Sequence, residues 1–231
     1  DSLALELDPD DPQLAPRLSI AAQLPAGRSL DEALPPDLRP RLSAAADRVG
    51  LSGAALQRMQ PWMVATLLTL RAAHSAGFGT DQGVDLWLAR TARARGLPLV
   101  ALESVDRQIE ALAAGGDAAQ LASLVEVVEL IEQGAAPAYF AGMLAAWRGG
   151  DAAAIDRIVR EESASPAMAP LLADLLDARN REMADAIVAR LQPGRRVFVA
   201  VGAGHFGGDA GLLAALSGRG FTLRQVEAKD D

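Results

Sequence analysis

The sequence predicts an α/β fold: a mostly parallel central sheet flanked by helices. Three observations predict it. Short apolar runs of strand length recur at residues 2–7, 97–103, 196–201 and 221–226. Stretches with helical periodicity separate them, and glycine and proline clusters mark the boundaries. Strands alternating with helices require crossover connections, which generate parallel pairing. Between the second and third runs, about residues 106–190, the pattern is almost entirely helical, so a large all-helical insertion is expected there. The whole chain, 1–231, reads as one α/β domain carrying that insertion.

Each element follows in order. Ser2 to Leu7 is a buried strand, closed by Asp8-Pro9 and interrupted in character only by Glu6. Residues 28–50 form one or two short helices broken at Pro35-Pro36, and another helix starts near Gly53. Pro61 begins the next helix, as its fixed φ and missing N–H suit a first turn. That helix directs Trp62, Met63, Thr66, Leu67 and Leu70 toward the core. A loop from His74 to Gly83 leads to a helix with Val84, Trp87, Leu88 and Thr91 on one face, ended by Gly96. Leu97 to Glu103 is the second strand and also ends on a glutamate. Within the insertion, Leu121, Leu124, Val125, Val128 and Ile131 make an i, i+3, i+4, i+7 stripe. Asp117 and Asp151 follow glycines and read as N-caps. Arg196 to Val201 and Phe221 to Val226 complete a set of four strands.

Composition excludes several classes of function. With a net charge of −8, the chain offers no basic face for nucleic acid. It has no cysteine, so disulfide frameworks, thiol catalysis and cysteine-bound zinc are excluded. No apolar run reaches transmembrane length. The chain opens in a strand without an initiator methionine, which points to missing upstream sequence, either a processed leader or a truncated first segment. A periplasmic or secreted location is therefore expected, with the cytoplasm as the alternative.

A few polar residues violate their surroundings. In the helix from about Ala167 to Leu191, Arg179 and Asn180 fall inside the stripe of Met168, Leu171, Leu172, Leu175, Leu176, Met183 and Ile187. A guanidinium turned toward a core requires an acidic or anionic partner. It reads either as a structural ion pair or as part of a site. Glu6 and Glu103 each end an apolar strand, as exposed caps or as site carboxylates. Of the two histidines, His74 lies near a helix end and is expected to have no role. His205 lies in the loop "VGAGHFGG". Its Gly202-x-Gly204-x-x-Gly207 spacing between strand and helix, with Glu227 about twenty residues on, is also that of a dinucleotide-binding turn. Against that reading, only two strands remain and His205 stands where a pyrophosphate needs bare backbone.

The block "VFVAVGAGHFGGDAGLLAALSGRGFTLRQV" resembles the C-terminal signature of the TraB/GumN family, which belongs with the Tiki metalloproteases and erythromycin-esterase-like hydrolases of the wider group. Its G-x-x-H is Gly202-Ala203-Gly204-His205. "RNREMADAI" matches the family's Arg-Asn helix at Arg179 and Asn180. "GVDLWLARTARARGLPLVALESVDRQI" matches the stretch placing Asp85, Glu103 and Gln108, and "LALELD" matches the strand carrying Glu6. The family has two G-x-x-H motifs, and the first is expected upstream of Asp1. Either that upstream segment completes the site, or the site is incomplete and a folded chain would be inactive.

The resemblance implies a bacterial metal-dependent hydrolase of peptidase type, acting on a peptide or small molecule. Its site residues would be Glu6, Arg179 and His205. Glu6, His205 and the upstream histidine of the first G-x-x-H would surround a divalent ion (Mn, Co or Zn) or a reacting water. Arg179 and Asn180 would orient carboxylates or bind the substrate carbonyl. Glu103 and Gly202 would be supporting or substrate contacts. The alternative on the same fold is a non-catalytic peptide- or polysaccharide-related binding protein.

Overall fold

The computed structural model describes residues 1–79, 83–161 and 165–226. Its centre is a three-stranded, all-parallel sheet with β1 (Ser2–Leu5) in the middle, β2 (Leu99–Ala101) on one side and β3 (Val197–Ala200) on the other. Leu5 pairs with Ala101 on one side and with Ala200 on the other, so all three strands end at the same level. The ladder runs past β1, because the Leu102 and Glu103 amides donate to the carbonyls of Leu5 and Glu6. Two glutamates that follow two strands are thereby set side by side at the sheet's carboxyl edge.

Six helices connect β1 to β2: α1 (Leu14–Ala21), α2 (Leu30–Ala33), α3 (Leu38–Arg48), α4 (Gly53–Leu56), α5 (Pro61–Ser75) and α6 (Val84–Ala94). Pro35 and Pro36 lie between α2 and α3, and Pro61 opens α5. The insertion between β2 and β3 contains α7 (Val105–Leu112), α8 (Gly116–Glu132), α9 (Ala136–Arg148) and α10 (Ala152–Glu161). It continues through α11 (Ala169–Leu172), a π-turn (Ala173–Ala178) and α12 (Arg179–Val188). α13 (Leu212–Gly218) follows β3.

Among the core clusters of the described residues, one lies within the helices and others cover the sheet. The α8 stripe buries Leu124, Val128 and Ile131 against α3 and α5, forming a helical core with Leu38, Leu42, Val64 and Leu68. Around the sheet, Val197 and Val199 meet Met183, Ala184 and Ile187 on one face. On the other face Leu3 and Leu5 meet Ala89 and Ala92. α7 is capped by Ser104, whose hydroxyl accepts the Arg107 amide at 3.2 Å.

Some elements differ from the sequence expectation. Residues 221–226 form no strand: Gln225 donates to the Gly150 carbonyl at 2.9 Å, which ties this segment to the α9–α10 turn instead of the edge of β3. α6 turns its small residues Ala89 and Ala92 to the sheet, because only small side chains allow that approach to Leu3 and Leu5. Trp87 and Val84 consequently face solvent. α5 is apolar on nearly every side, and the face that meets α8 leaves Leu70 exposed while burying Val64, Ala65 and Leu68. Asp151 caps α10 through the Ala154 amide at 2.8 Å. Asp117 instead lies in the first turn of α8, which starts one residue earlier behind Gly115 at φ 83°.

Leu5 is 1% exposed and joins both sheet partners to α6. Leu5→Ala is expected to cost about 2–5 kcal/mol, as for other buried leucine truncations. The measurement is the urea midpoint, which should fall at unchanged m.

Candidate functional site

The carboxyl edge of the sheet gathers polar groups from distant parts of the chain. Glu6 follows β1, Glu103 lies two residues past β2, and Gly202 lies two residues past β3. The helix running from α11 to α12 crosses above them and supplies Arg179 and Asn180. A three-residue 3-10 turn, Ala203–His205, supplies the imidazole.

Arg179 is 3% exposed and is the hub. Its Nε donates to Glu103 Oε2 at 2.8 Å and its Nη2 to Glu103 Oε1 at 2.5 Å, a bidentate fork. Nη2 also donates to Glu6 Oε2 at 2.7 Å, and Nη1 to the Leu175 carbonyl at 2.9 Å. Burial works against the guanidinium charge, but Glu103 and Glu6 more than restore it and hold its pKa above the ordinary value. Leu175 lies in the π-turn, a wider turn that takes carbonyls out of the regular i to i+4 ladder. The turn is braced on both sides. Asp174 meets Arg107 of α7 at 3.0 Å, and Asp177 meets Arg160 of α10 at 2.5 Å.

His205 is 4% exposed and is oriented by Asn180. Asn180 Nδ2 donates to the Ala210 carbonyl at 2.9 Å, which leaves Oδ1 facing His205 Nδ1 at 2.7 Å. An amide oxygen only accepts, so Nδ1 carries the proton and donates. The other ring nitrogen, Nε2, faces Glu6 Oε2 at 3.6 Å, longer than a direct hydrogen bond.

Glu6 receives the Gly202 amide on Oε1 at 2.5 Å. Burial alone would raise its pKa. The His205 imidazole in its protonated form, the Gly202 amide and Arg179 outweigh that and lower it to about 2. Gly202 permits the approach, since a Cβ there would stand 3.1 Å from Glu6 Oε1 and 3.8 Å from His205 Cδ2. Asp85, in the first turn of α6, stays exposed as a residue. Desolvation of its carboxyl and the Glu6 charge nevertheless push its pKa up.

The structure thus brings Glu6, Glu103, Arg179, Asn180, Gly202 and His205 into one hydrogen-bonded network. His74 lies apart, exposed in the last turn of α5. Glu227 lies outside the described residues. The Gly202 amide, which a phosphate-binding turn would need, is on Glu6. Sequence reasoning missed the π-turn, the Leu175 and Ala210 carbonyls, and the Arg107 and Arg160 braces. Main-chain acceptors carry no sequence signal, and both arginines look like ordinary surface charges of amphipathic helices.

A divalent ion is implied by the family resemblance. Glu6 and His205 offer it two ligands, fewer than the three protein ligands of a catalytic zinc site. Among the described residues, no group of three or more His, Asp or Glu is placed to hold a metal. Arg179 already sits on the Glu6 oxygen that faces His205. These residues alone do not complete a resident metal site.

A parallel α/β fold with carboxylates, an arginine and an imidazole at its strand ends defines a class of strand-edge polar site. The sequence model of the TraB/PrgY/gumN family matches residues 1–225, and the chain belongs to that family. No curated protein and no solved structure matches the chain. No single helix among the described residues is long and apolar enough to cross a membrane.

The depressed Glu6 pKa gives a pH dependence of stability. A carboxylate held at about 2 against a usual 4.5 contributes fully above pH 4.5. That contribution is lost as pH falls toward 2, on the order of 3 kcal/mol in all. Denaturant melts of wild type and Glu6→Gln between pH 2 and pH 7 should converge on acidification. A constant gap across that window would show that Glu6 is not held ionised.

Proposed function

We propose that this protein is a hydrolase with peptidase-like chemistry, acting at the carboxyl edge of its sheet. The observation that supports it most is the His205 tautomer. With Nδ1–H bound to Asn180, the Nε2 lone pair faces an ionised Glu6 across 3.6 Å. A water hydrogen-bonded to both acceptors would lose its proton to Nε2 as its oxygen attacks a substrate carbonyl carbon. The imidazolium so formed would be stabilised by Glu6. It would return the proton to the leaving amine or alkoxide as the carbon–heteroatom bond breaks.

In this reading Glu6 and His205 are catalytic residues, and Arg179, Asn180 and Glu103 are positioning residues. Every Arg179 nitrogen is already committed to Glu103, Glu6 or Leu175. The role it can serve without breaking those bonds is to fix both carboxylates. No step is routed through a metal, since Glu6 and His205 alone do not complete a site for one. The internal satisfaction of the network favours a second reading, a non-catalytic peptide binder in which the same ion pairs are structural.

Incubation with a mixture of short peptides, with cleavage followed by mass spectrometry, tests the proposal. His205→Ala and Glu6→Gln, shown by circular dichroism to be folded, should each lower the rate by about 10²- to 10⁴-fold, and a chelator should leave it unchanged. Cleavage that His205→Ala does not reduce would overturn the assignment. Peptide binding without cleavage would favour the binder, and a chelator-sensitive rate would overturn the metal-free mechanism.

A further inference from the structure

The loop that presents His205 has a second side. Ala203 and Phe206, which flank the 3-10 turn, line a cleft of about 420 Å³ between that loop, α10, α13 and the C-terminal segment. Its walls are Trp147 of α9, Ile155 of α10, Phe206, Leu213 of α13 and Leu223, with Arg224 as the one charged lining residue. The size lies within the range of small-molecule sites, and an apolar lining with few polar groups is their usual character.

Three features argue that the cleft is a built site. Residues 221–226, whose alternation reads as a strand, leave the β3 edge and run along the cleft. Gln225 fastens them there to the Gly150 carbonyl at 2.9 Å, and Leu223 and Arg224 supply part of the wall. Trp147, Leu213 and Leu223 remain 52%, 37% and 43% exposed, so the apolar surface is open to a ligand rather than closed on itself. Last, the cleft shares a loop with the polar network. Ala203 in its wall is the residue after Gly202, whose amide is bound to Glu6.

We infer that this cleft is the specificity pocket of the site, and that it receives a bulky apolar side chain, aromatic or branched aliphatic, of a peptide-like substrate. The inference rests on the hydrolase reading for the word substrate and deepens it. A side chain seated between Phe206 and Leu213 brings its own main chain alongside residues 202–205, where the scissile carbonyl would meet the Glu6–His205 pair. A lysine side chain would be disfavoured, since among the described residues the lining holds no carboxylate and its charged residue is Arg224.

Trp147 supplies a readout that does not depend on turnover. N-acetyl-phenylalanine amide should change the tryptophan fluorescence saturably, and N-acetyl-lysine amide should not. The saturable change should disappear in Trp147→Phe. Leu213→Glu, at a partly exposed position, should weaken binding of the phenylalanine probe at least about tenfold. Absence of a saturable change in wild type would overturn the pocket, as would equal binding of the lysine probe or undiminished binding to Leu213→Glu. Binding that survives in a protein that cleaves no peptide would overturn the hydrolase reading alone. Cleavage with no preference for bulky apolar residues would overturn the pocket alone.

Discussion

The structure depends on one guanidinium held between two carboxylates. Arg179 is almost fully enclosed, and so are the side chains of Glu103 and, to a lesser degree, Glu6. None of the three is tolerable there alone. Removing one member of such a buried set leaves an uncompensated charge and costs about 3–5 kcal/mol, far more than a surface pair contributes. The charges fix a geometric relation. The glutamates belong to the ends of neighbouring strands and the arginine to the helix above them, so the triad sets the position of that helix over the sheet edge.

Much of the helical insertion serves that placement. The π-turn before Arg179 turns the Leu175 carbonyl toward the guanidinium, and its own two aspartates are gripped by Arg107 and Arg160 from α7 and α10. Asn180, next in sequence, then falls where it can join Ala210 to His205. Two consecutive residues thus act on two kinds of group: Arg179 holds the two carboxylates together, and Asn180 sets the tautomer of the imidazole. The bidentate fork explains why an arginine stands here, since a lysine ammonium could not bind both Glu103 oxygens in one plane.

The fold was legible where one physical signal dominated. The three paired strands and the insertion follow from apolar runs and from the α8 stripe. Phe221–Val226 has the same alternation as a strand, but pairing is a tertiary event, and the Gln225 contact to Gly150 decided it otherwise. Trp87 and Val84 misled because size was read as a mark of burial, whereas the sheet accepted alanines. At the site, the residues that converge are those that broke their local pattern: a glutamate after each of two apolar strands, Arg-Asn in an apolar stripe, and a histidine among glycines. The pairing itself was not legible, because it depends on strand register and on one extra residue in a helical turn. The cleft residues gave no signal, since Trp147, Leu213 and Leu223 look like ordinary core positions.

The order of the strands also has a kinetic meaning. Glu6 meets Arg179 across 173 residues and Gly202 across 196. Of the three strands the middle one is made first, and one of its two neighbours last. Contacts this distant in sequence carry a large loop-closure cost and form late. Until α12 and β3 have been made, β1 has an open edge and Glu6 lacks Arg179. Assembly of the polar network therefore waits for β3, and a nascent chain carries that open strand edge as an aggregation hazard until then.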